Sequence, residues 1–205
     1  MKNKEKVLII GGSGFIGHNL AIKLSKKYKV CVADSFTINN LKSFNSNKNS
    51  LENNFYIKIL KERINLLKKN KVSIIKIDAR NYKKMSKLVD KVSPNYIYHL
   101  AAVAHANVSN KNPFSTFDNS LRTLENSLDA TRSLKDLKRF FYLSSSMLYG
   151  QFKKSSVNEE TICEPLGIYG ALKFAGEKMV IGYNQVFNLP YTIIRPSALY
   201  GERCV

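Results

Sequence analysis

The apolar residues of the chain fall into short runs of strand length, and most are followed by a stretch whose hydrophobic positions recur at helical spacing. "KVLII" (6–10) is an almost unbroken apolar run, as expected of a strand buried on both faces. The glycine-rich turn after it leads into "FIGHNLAIKLSKKY", where Ile16, Leu20 and Leu24 share one helical face. "KVCVAD" (29–34) predicts a second strand and "VSIIKID" (72–78) a third. Between them, an Asn/Ser/Lys-rich stretch over 37–54 reads as a mobile loop, and "FYIKILKERINLLKK" as a helix. "YIYHLAA" (96–102) predicts a fourth strand, "FDNSLRTLENSLDATRSL" (117–134) a long amphipathic helix, and "RFFYLSS" (139–145) a fifth strand. "GIYGALKFAGEKMVIGYNQVF" (167–187) predicts another helix and "YTIIRP" (191–196) a sixth strand.

Strand alternating with helix implies an α/β fold of Rossmann type: a doubly wound parallel sheet with helices on both faces, because right-handed crossovers lay helices on the sheet. Ligands of such sheets bind at the carboxyl ends of the strands, near the switch point between the first and fourth strands. At 205 residues, one domain spanning 1–205 is expected.

Composition changes this picture little. The 44% hydrophobic and 23% charged residues are those of a globular domain, and neither a membrane-length apolar run nor a secretory signal is visible, so the chain reads as cytoplasmic, without a membrane partner. Cys31, Cys163 and Cys204 lie far apart and read as reduced thiols, with no disulfide framework and no metal site. The net charge of +18 invites a nucleic-acid reading. However, residues 1–100 hold 21 Lys/Arg against 6 Asp/Glu, most of them lysines scattered singly among Asn and Ser, and no nucleic-acid motif accompanies them. A solvated lysine-rich surface is the simpler account, so no nucleic-acid partner is expected.

The candidate chemistry lies just after the strands. "GGSGFIG" (11–17) satisfies Gly-x-x-Gly-x-x-Gly through Gly11, Gly14 and Gly17 and opens the first helix, where free N–H groups and the helix dipole stabilise a pyrophosphate. Asp34 ends the second strand, placed to accept hydrogen bonds from an adenosine ribose and to repel a 2′-phosphate, which favours NAD over NADP. Asp78, ending the third strand, either caps a loop or contacts the adenine amino group. Tyr169 and Lys173 are four apart on one helix, so an ammonium near the phenol favours phenolate and makes Tyr169 an acid/base for a substrate hydroxyl. "LSSSMLYG" brings hydroxyls to the end of the fifth strand, where the nicotinamide should lie. Of the histidines, His99 reads as packed, His105 as a residue that could touch a ligand, and His18 as surface.

Taken together, Gly11-x-x-Gly14-x-x-Gly17, Asp34, "DAR" (78–80), "HLAA" (99–102), "SSS…YG", Tyr169-x-x-x-Lys173 and "RP…YG" resemble the extended short-chain dehydrogenase/reductases. Within them the chain is similar to the NAD-dependent epimerase/dehydratase family acting on nucleotide sugars. The resemblance implies Tyr169 as base, Lys173 holding the nicotinamide ribose, and Ser145 steering the sugar hydroxyl, with Ser144 and Ser146 as less favoured choices. It further implies that Phe15, Ile16, Ala79, Leu100, Ala101, Ala102, Asn119 and Ser144 line an NAD site with the residues above. Ser145, Ser146 and Tyr169 would meet the substrate.

Dehydratases of the family carry Asp-Glu after the catalytic hydroxyl, where Ser146-Met147 stands here, so epimerisation or simple oxidation is expected over 4,6-dehydration. Ala198 stands where the family commonly has Asn, which weakens assignment to a UDP-sugar. The resemblance also implies a homodimer through helices 114–134 and 167–187. Because the family continues well past "RP…YG", it implies too that a substrate domain follows and is largely absent from these 205 residues. The alternative is a dinucleotide-binding protein without turnover.

Overall fold

The computed structural model describes residues 4–38, 40–44, 51–152 and 156–204. Six parallel strands form one sheet: β1 (Lys6–Ile10), β2 (Lys29–Asp34), β3 (Ser73–Lys76), β4 (Tyr96–His99), β5 (Arg139–Leu143) and β6 (Tyr191–Ile194), in the order β3-β2-β1-β4-β5-β6. That order reverses direction beside β1, which pairs Leu8 with Cys31 of β2 on one side and with Ile97 of β4 on the other. The expected switch point is therefore present, with the chain leaving β1 and β4 toward opposite sides beyond the paired Ile10 and His99.

Successive residues of β1 face opposite ways, so its apolar run serves two cores. Val7 and Ile9 pack with Ala21 of α1 (Phe15–Ser25) and Leu67 of α3 (Leu51–Lys69). Leu8 and Ile10 pack on the other face with Met85 of α4 (Tyr82–Val92), Leu124 of α7 (Thr123–Thr131) and Val180 of α8 (Gly167–Phe187). Helices thus cover both faces, as a doubly wound sheet requires. β3 and β6 are the sheet edges among the described residues, and Ile194 of β6 is partly exposed.

Several elements depart from the sequence reading. The third to sixth strands are shorter than predicted, each losing its last residues to the loops that build the crevice. Part of the expected loop over 37–54 is helical, as α2 (Leu41–Phe44) and the first turn of α3; residues 39 and 45–50 lie outside the described residues. α4 was not foreseen. It carries its own signals, an Asn81 side chain accepting from the Lys84 N–H and a left-handed Ser93 that ends it. α5 (Ala106–Lys111) and α6 (Pro113–Phe117) were also missed, although Asn112 caps the second and Pro113 occupies its first turn. The long helix predicted over 117–134 is interrupted by a π-turn, Asp118–Arg122, before α7 begins.

Candidate active site

The loops after β1, β2, β3, β4 and β5 enclose a cleft of about 340 Å³ at the carboxyl end of the sheet. Gly11 turns the chain out of β1 at φ 79°, and a Cβ on it would lie 2.7 Å from the Ala101 nitrogen. Gly17 lets α1 descend onto this turn, since a Cβ there would lie 2.5 Å from Gly12 Cα. Neither backbone contact can give way, so these two glycines are required by the fold of the loop itself. Gly14 caps α1 without a side-chain hydrogen bond, so the free N–H groups of the first turn are left to face the cleft beside Phe15 and Ile16.

Asp34 is held at the cleft wall by two backbone donors: Ser13 N–H to Oδ2 at 3.0 Å and Phe36 N–H to Oδ1 at 2.7 Å. Each carboxylate oxygen keeps a further lone pair for a ligand. Asp78 also lines the cleft, but its carboxylate is engaged by Arg80 through both side chain and backbone N–H, which holds its pKa below the usual range. The loop-capping role is thus realised, with Ala79 and the open edge of Asp78 still turned to the cleft. Leu100, Ala101 and Ala102 form the wall after β4. The π-turn swings Asn119 into the same space, its amide donating to the Ser115 carbonyl at 2.8 Å. A π-turn adds one residue to a helical turn and is a recurrent way of aiming a side chain at a site.

Ser144, Ser145, Tyr169 and Lys173 converge at the other end. Past the end of β6, Ser146 N–H donates to the Pro196 carbonyl at 2.9 Å, so "RP" runs beside "SSS" and brings Pro196 and Ser197 to the cleft. Ser145 caps a 3₁₀ turn (Ser146–Tyr149) by accepting from Met147 N–H. Ser146 itself opens that turn, half-buried and outside the cleft lining.

The phenol–ammonium relation differs from expectation. Burial raises the Tyr169 pKa, and a hydrogen bond with Ser145 offsets this in part. Lys173 Nζ lies 5.8 Å from the Tyr169 ring centroid and donates to the Leu143 carbonyl at 2.7 Å. Lys173 is itself buried, and desolvation pushes its pKa down to about 8 from 10.5. With the folded value depressed, the stability linked to this group is full above about pH 10.5 and is lost as pH falls through about 8. Lys173→Met should therefore stabilise the chain at pH 7 by about 2 kcal/mol, with the gain vanishing above about pH 10.5. Urea unfolding at both pH values measures this, and an equal change at the two would contradict it.

His99 is buried between Phe140 and Tyr142, as its packed reading required. His105 precedes α5 and lines the cleft. His18 is not a surface residue. It is fully buried, its Nδ1 hydrogen-bonds to the Gly14 carbonyl at 2.9 Å, and its Nε2 accepts from Arg203. The segment 201–204 folds back over α1, a contact 185 positions away in sequence that no local pattern announces. Arg63 was also missed. It projects from an otherwise ordinary amphipathic helix, fully buried, to line the Asp34 end of the cleft and donate to the Arg203 carbonyl.

The chain as a whole is similar to known proteins. The profile of the NAD dependent epimerase/dehydratase family matches residues 7–204. Protein CapI of Staphylococcus aureus is 32% identical over 96% of this chain and 54% of its own length. UDP-glucuronate 4-epimerase 1 of Arabidopsis thaliana is 29% identical over 95% of this chain and 42% of its own. The chain therefore spans about half the length of the relatives it matches. Among solved structures, UDP-glucuronic acid 4-epimerase of Bacillus cereus, in complex with UDP-glucuronic acid and NAD, superposes with a TM-score of 0.82 at 28% identity, covering 97% of this chain and 58% of that one. A family match over 7–204, reaching from β1 past the end of β6, makes the chain a member of the NAD dependent epimerase/dehydratase family.

Proposed function

We propose that this chain is the cofactor-binding and proton-transfer half of an NAD-dependent enzyme acting on a nucleotide sugar, by epimerisation or oxidation. The observation that carries the reading is the convergence of Ser145, Tyr169 and Lys173 at one end of a cleft whose other end holds Asp34. The residues present fit NAD: the uncapped start of α1 suits a pyrophosphate, Asp34 a ribose diol, and the buried, unpartnered Ser144 hydroxyl a polar group at the nicotinamide end. Bound there, NAD supplies a hydride acceptor for a sugar carbon.

The chain's own residues do the remaining work. Tyr169, as phenolate, would take the proton of the sugar hydroxyl as that carbon is oxidised and would return it on reduction. Ser145, hydrogen-bonded to Tyr169, orients that hydroxyl. Lys173, pinned to the Leu143 carbonyl with Nζ 5.8 Å from the Tyr169 ring centroid, would hold the nicotinamide ribose beside the phenol. Ser146 and Met147 supply no acid for elimination, which argues against 4,6-dehydration. Gly11, Gly14, Phe15, Ile16, Gly17, Asp78, Ala79, Leu100, Ala101, Ala102 and Asn119 would form the rest of the NAD wall.

Exposed apolar side chains on α6 and α8, Phe114 at 82% and Val186 at 70%, support a homodimer through these helices, which sedimentation equilibrium would read as a two-chain mass. No helix among the described residues is long and apolar enough to cross a membrane. The scattered lysines are read as solvated, with no nucleic-acid partner.

The test is to add UDP-, GDP- and dTDP-sugars to the intact protein with NAD and follow reduced-nicotinamide absorbance together with product stereochemistry. One sugar class should give an inverted or oxidised product. Bound NAD with no product from any of the sugars would leave a dinucleotide-binding protein without turnover and overturn the enzyme reading.

A further inference from the structure

The segment after β6 leaves the edge of the sheet and comes to rest against α1 and α3, the helices that cover one face of β1 and β2. β6 stands three strands from β1 in the sheet order, about 14 Å at ordinary strand spacing. Residues 196–204 therefore cross the carboxyl ends of the strands, and they line the cleft as they go. Pro196 and Ser197 lie at the end of β5, Leu199 follows, and Cys204 reaches Arg63 and the Asp34 end. Between them Gly201 passes the Phe15 ring, where a Cβ would sit 3.7 Å from Cζ.

Arg203 fastens the far end of this segment. Its Nε donates to His18 Nε2 at 3.1 Å and its Nη2 to Asn19 Oδ1 at 3.4 Å, while Nη1 pairs with Glu62 Oε1 at 3.5 Å. Its own carbonyl accepts from Arg63, at 3.1 Å from Nε and 2.5 Å from Nη2. The backbone of Arg203 sits at φ 62°, a region that a residue with a side chain keeps only where its surroundings hold it there.

His18 and Arg63 are fully buried, so these bonds are made out of reach of water and are worth more than the same bonds on a surface. The Gly14 carbonyl can only accept and the Arg203 guanidinium can only donate. His18 is thereby fixed in one neutral tautomer, with Nδ1–H toward Gly14 and Nε2 bare toward Arg203. One ring thus joins the fastening to the glycine turn at the start of α1. An arginine that merely shielded α1 would need neither the buried imidazole nor the left-handed backbone.

We propose that residues 196–204 form a strap across the cofactor cleft, latched by Arg203 onto His18 and Arg63, and that Arg203 is a positioning residue that slows release of the dinucleotide. This rests on the reading of the cleft as an NAD site. With the latch closed, Leu199 and Cys204 stay in place as walls over the bound cofactor. Without the guanidinium, the strap keeps only its carbonyl link to Arg63, opens more often, and lets the ligand leave.

The test is the rate at which the chain releases NADH, read from the loss of its fluorescence when excess NAD is added. Arg203→Met should release NADH about tenfold faster than wild type, with its association rate and melting temperature little changed. Arg203→Lys keeps one donor for His18 but gives up the fork to Asn19 and Glu62, and should be about threefold faster. A faster release that comes only with a lowered melting temperature, and that Arg203→Lys does not relieve, is a fold defect and overturns the proposal. Should Arg203→Met fail to fold, Arg203→Lys decides alone: its smaller rise supports the latch, and wild-type release overturns it. A wild-type chain that holds no NADH overturns the cofactor reading and the strap with it, whereas NADH held equally well by wild type and Arg203→Met overturns the strap alone.

Discussion

Tyr169→Phe is expected to lower turnover by about three orders of magnitude while leaving NAD affinity within a few-fold of wild type. The substitution deletes one hydroxyl and keeps the ring, so the packing of α8 on the 3₁₀ turn is unchanged. Lys173 keeps its hydrogen bond to the Leu143 carbonyl, which does not pass through the phenol. The groups that would hold the dinucleotide, the α1 N-terminus and Asp34, are at the far end of the cleft. Because burial raises the Tyr169 pKa, wild-type turnover should climb as pH rises through the phenol's range and be lost below it. Stopped turnover with a parallel collapse of NAD binding would show that the phenol binds cofactor rather than moving a proton. Full activity in the variant would assign the base elsewhere.

The second large effect is on stability. Glu177 lies two helical turns beyond Tyr169 on the same face of α8, and Arg195 of the "RP" pair grips it in a fork, Nε to Oε1 at 2.9 Å and Nη2 to Oε2 at 2.7 Å. The third guanidinium nitrogen donates to the Tyr149 hydroxyl at 2.9 Å and to the Glu159 carbonyl at 3.0 Å. One ion pair therefore ties α8, the chain after β6, the 3₁₀ turn and the loop before α8 together. Glu177 is buried and the Arg195 side chain only 19% exposed, so solvent screens the pair little. Glu177→Leu leaves the guanidinium without its partner and should cost about 3 kcal/mol. In a domain of this size that lowers the melting temperature by about 10 °C. Glu177→Leu with Arg195→Leu removes both charges and should recover much of the loss. A double variant no better than the single would mean that the links to Tyr149 and Glu159 matter more than charge pairing.

These two cases also show which parts of the molecule could be read from sequence. The glycine loop, Asp34 and the Tyr169/Lys173 spacing were legible because their geometry is local. A strand, a tight turn and a helix put Gly11, Gly14 and Gly17 around one point, and a spacing of four puts Tyr169 above Lys173. The parallel sheet followed from the alternation of strand and helix, whereas the full order β3-β2-β1-β4-β5-β6 is read from the structure. α4 was legible in principle, with Asn81 as cap and Met85, Leu88 and Val89 as a buried stripe, but a lysine-rich setting obscured it.

What could not be read depended on contacts between distant segments. His18 looked like a surface residue because nothing near it in sequence reveals that residues 201–204 return to cover α1. Arg63 looked like one more surface cation of α3 for the same reason. The lowered phenol pKa expected from the Tyr/Lys spacing assumed an exposed pair. The structure buries Lys173 and half-buries Tyr169, and desolvation raises Tyr169 and lowers Lys173. The π-turn at 118–122 keeps helical periodicity on both sides, so the apolar pattern cannot distinguish it from a continuous helix.

The central claim is that the cleft at the switch point is built for NAD. Calorimetric titration of the chain with NAD and, separately, NADP tests it most directly. The account predicts one NAD per chain, little changed by added salt, with NADP at least tenfold weaker because the Asp34 carboxylate repels a 2′-phosphate. No binding of NAD, or NADP binding as tight as NAD, would contradict it.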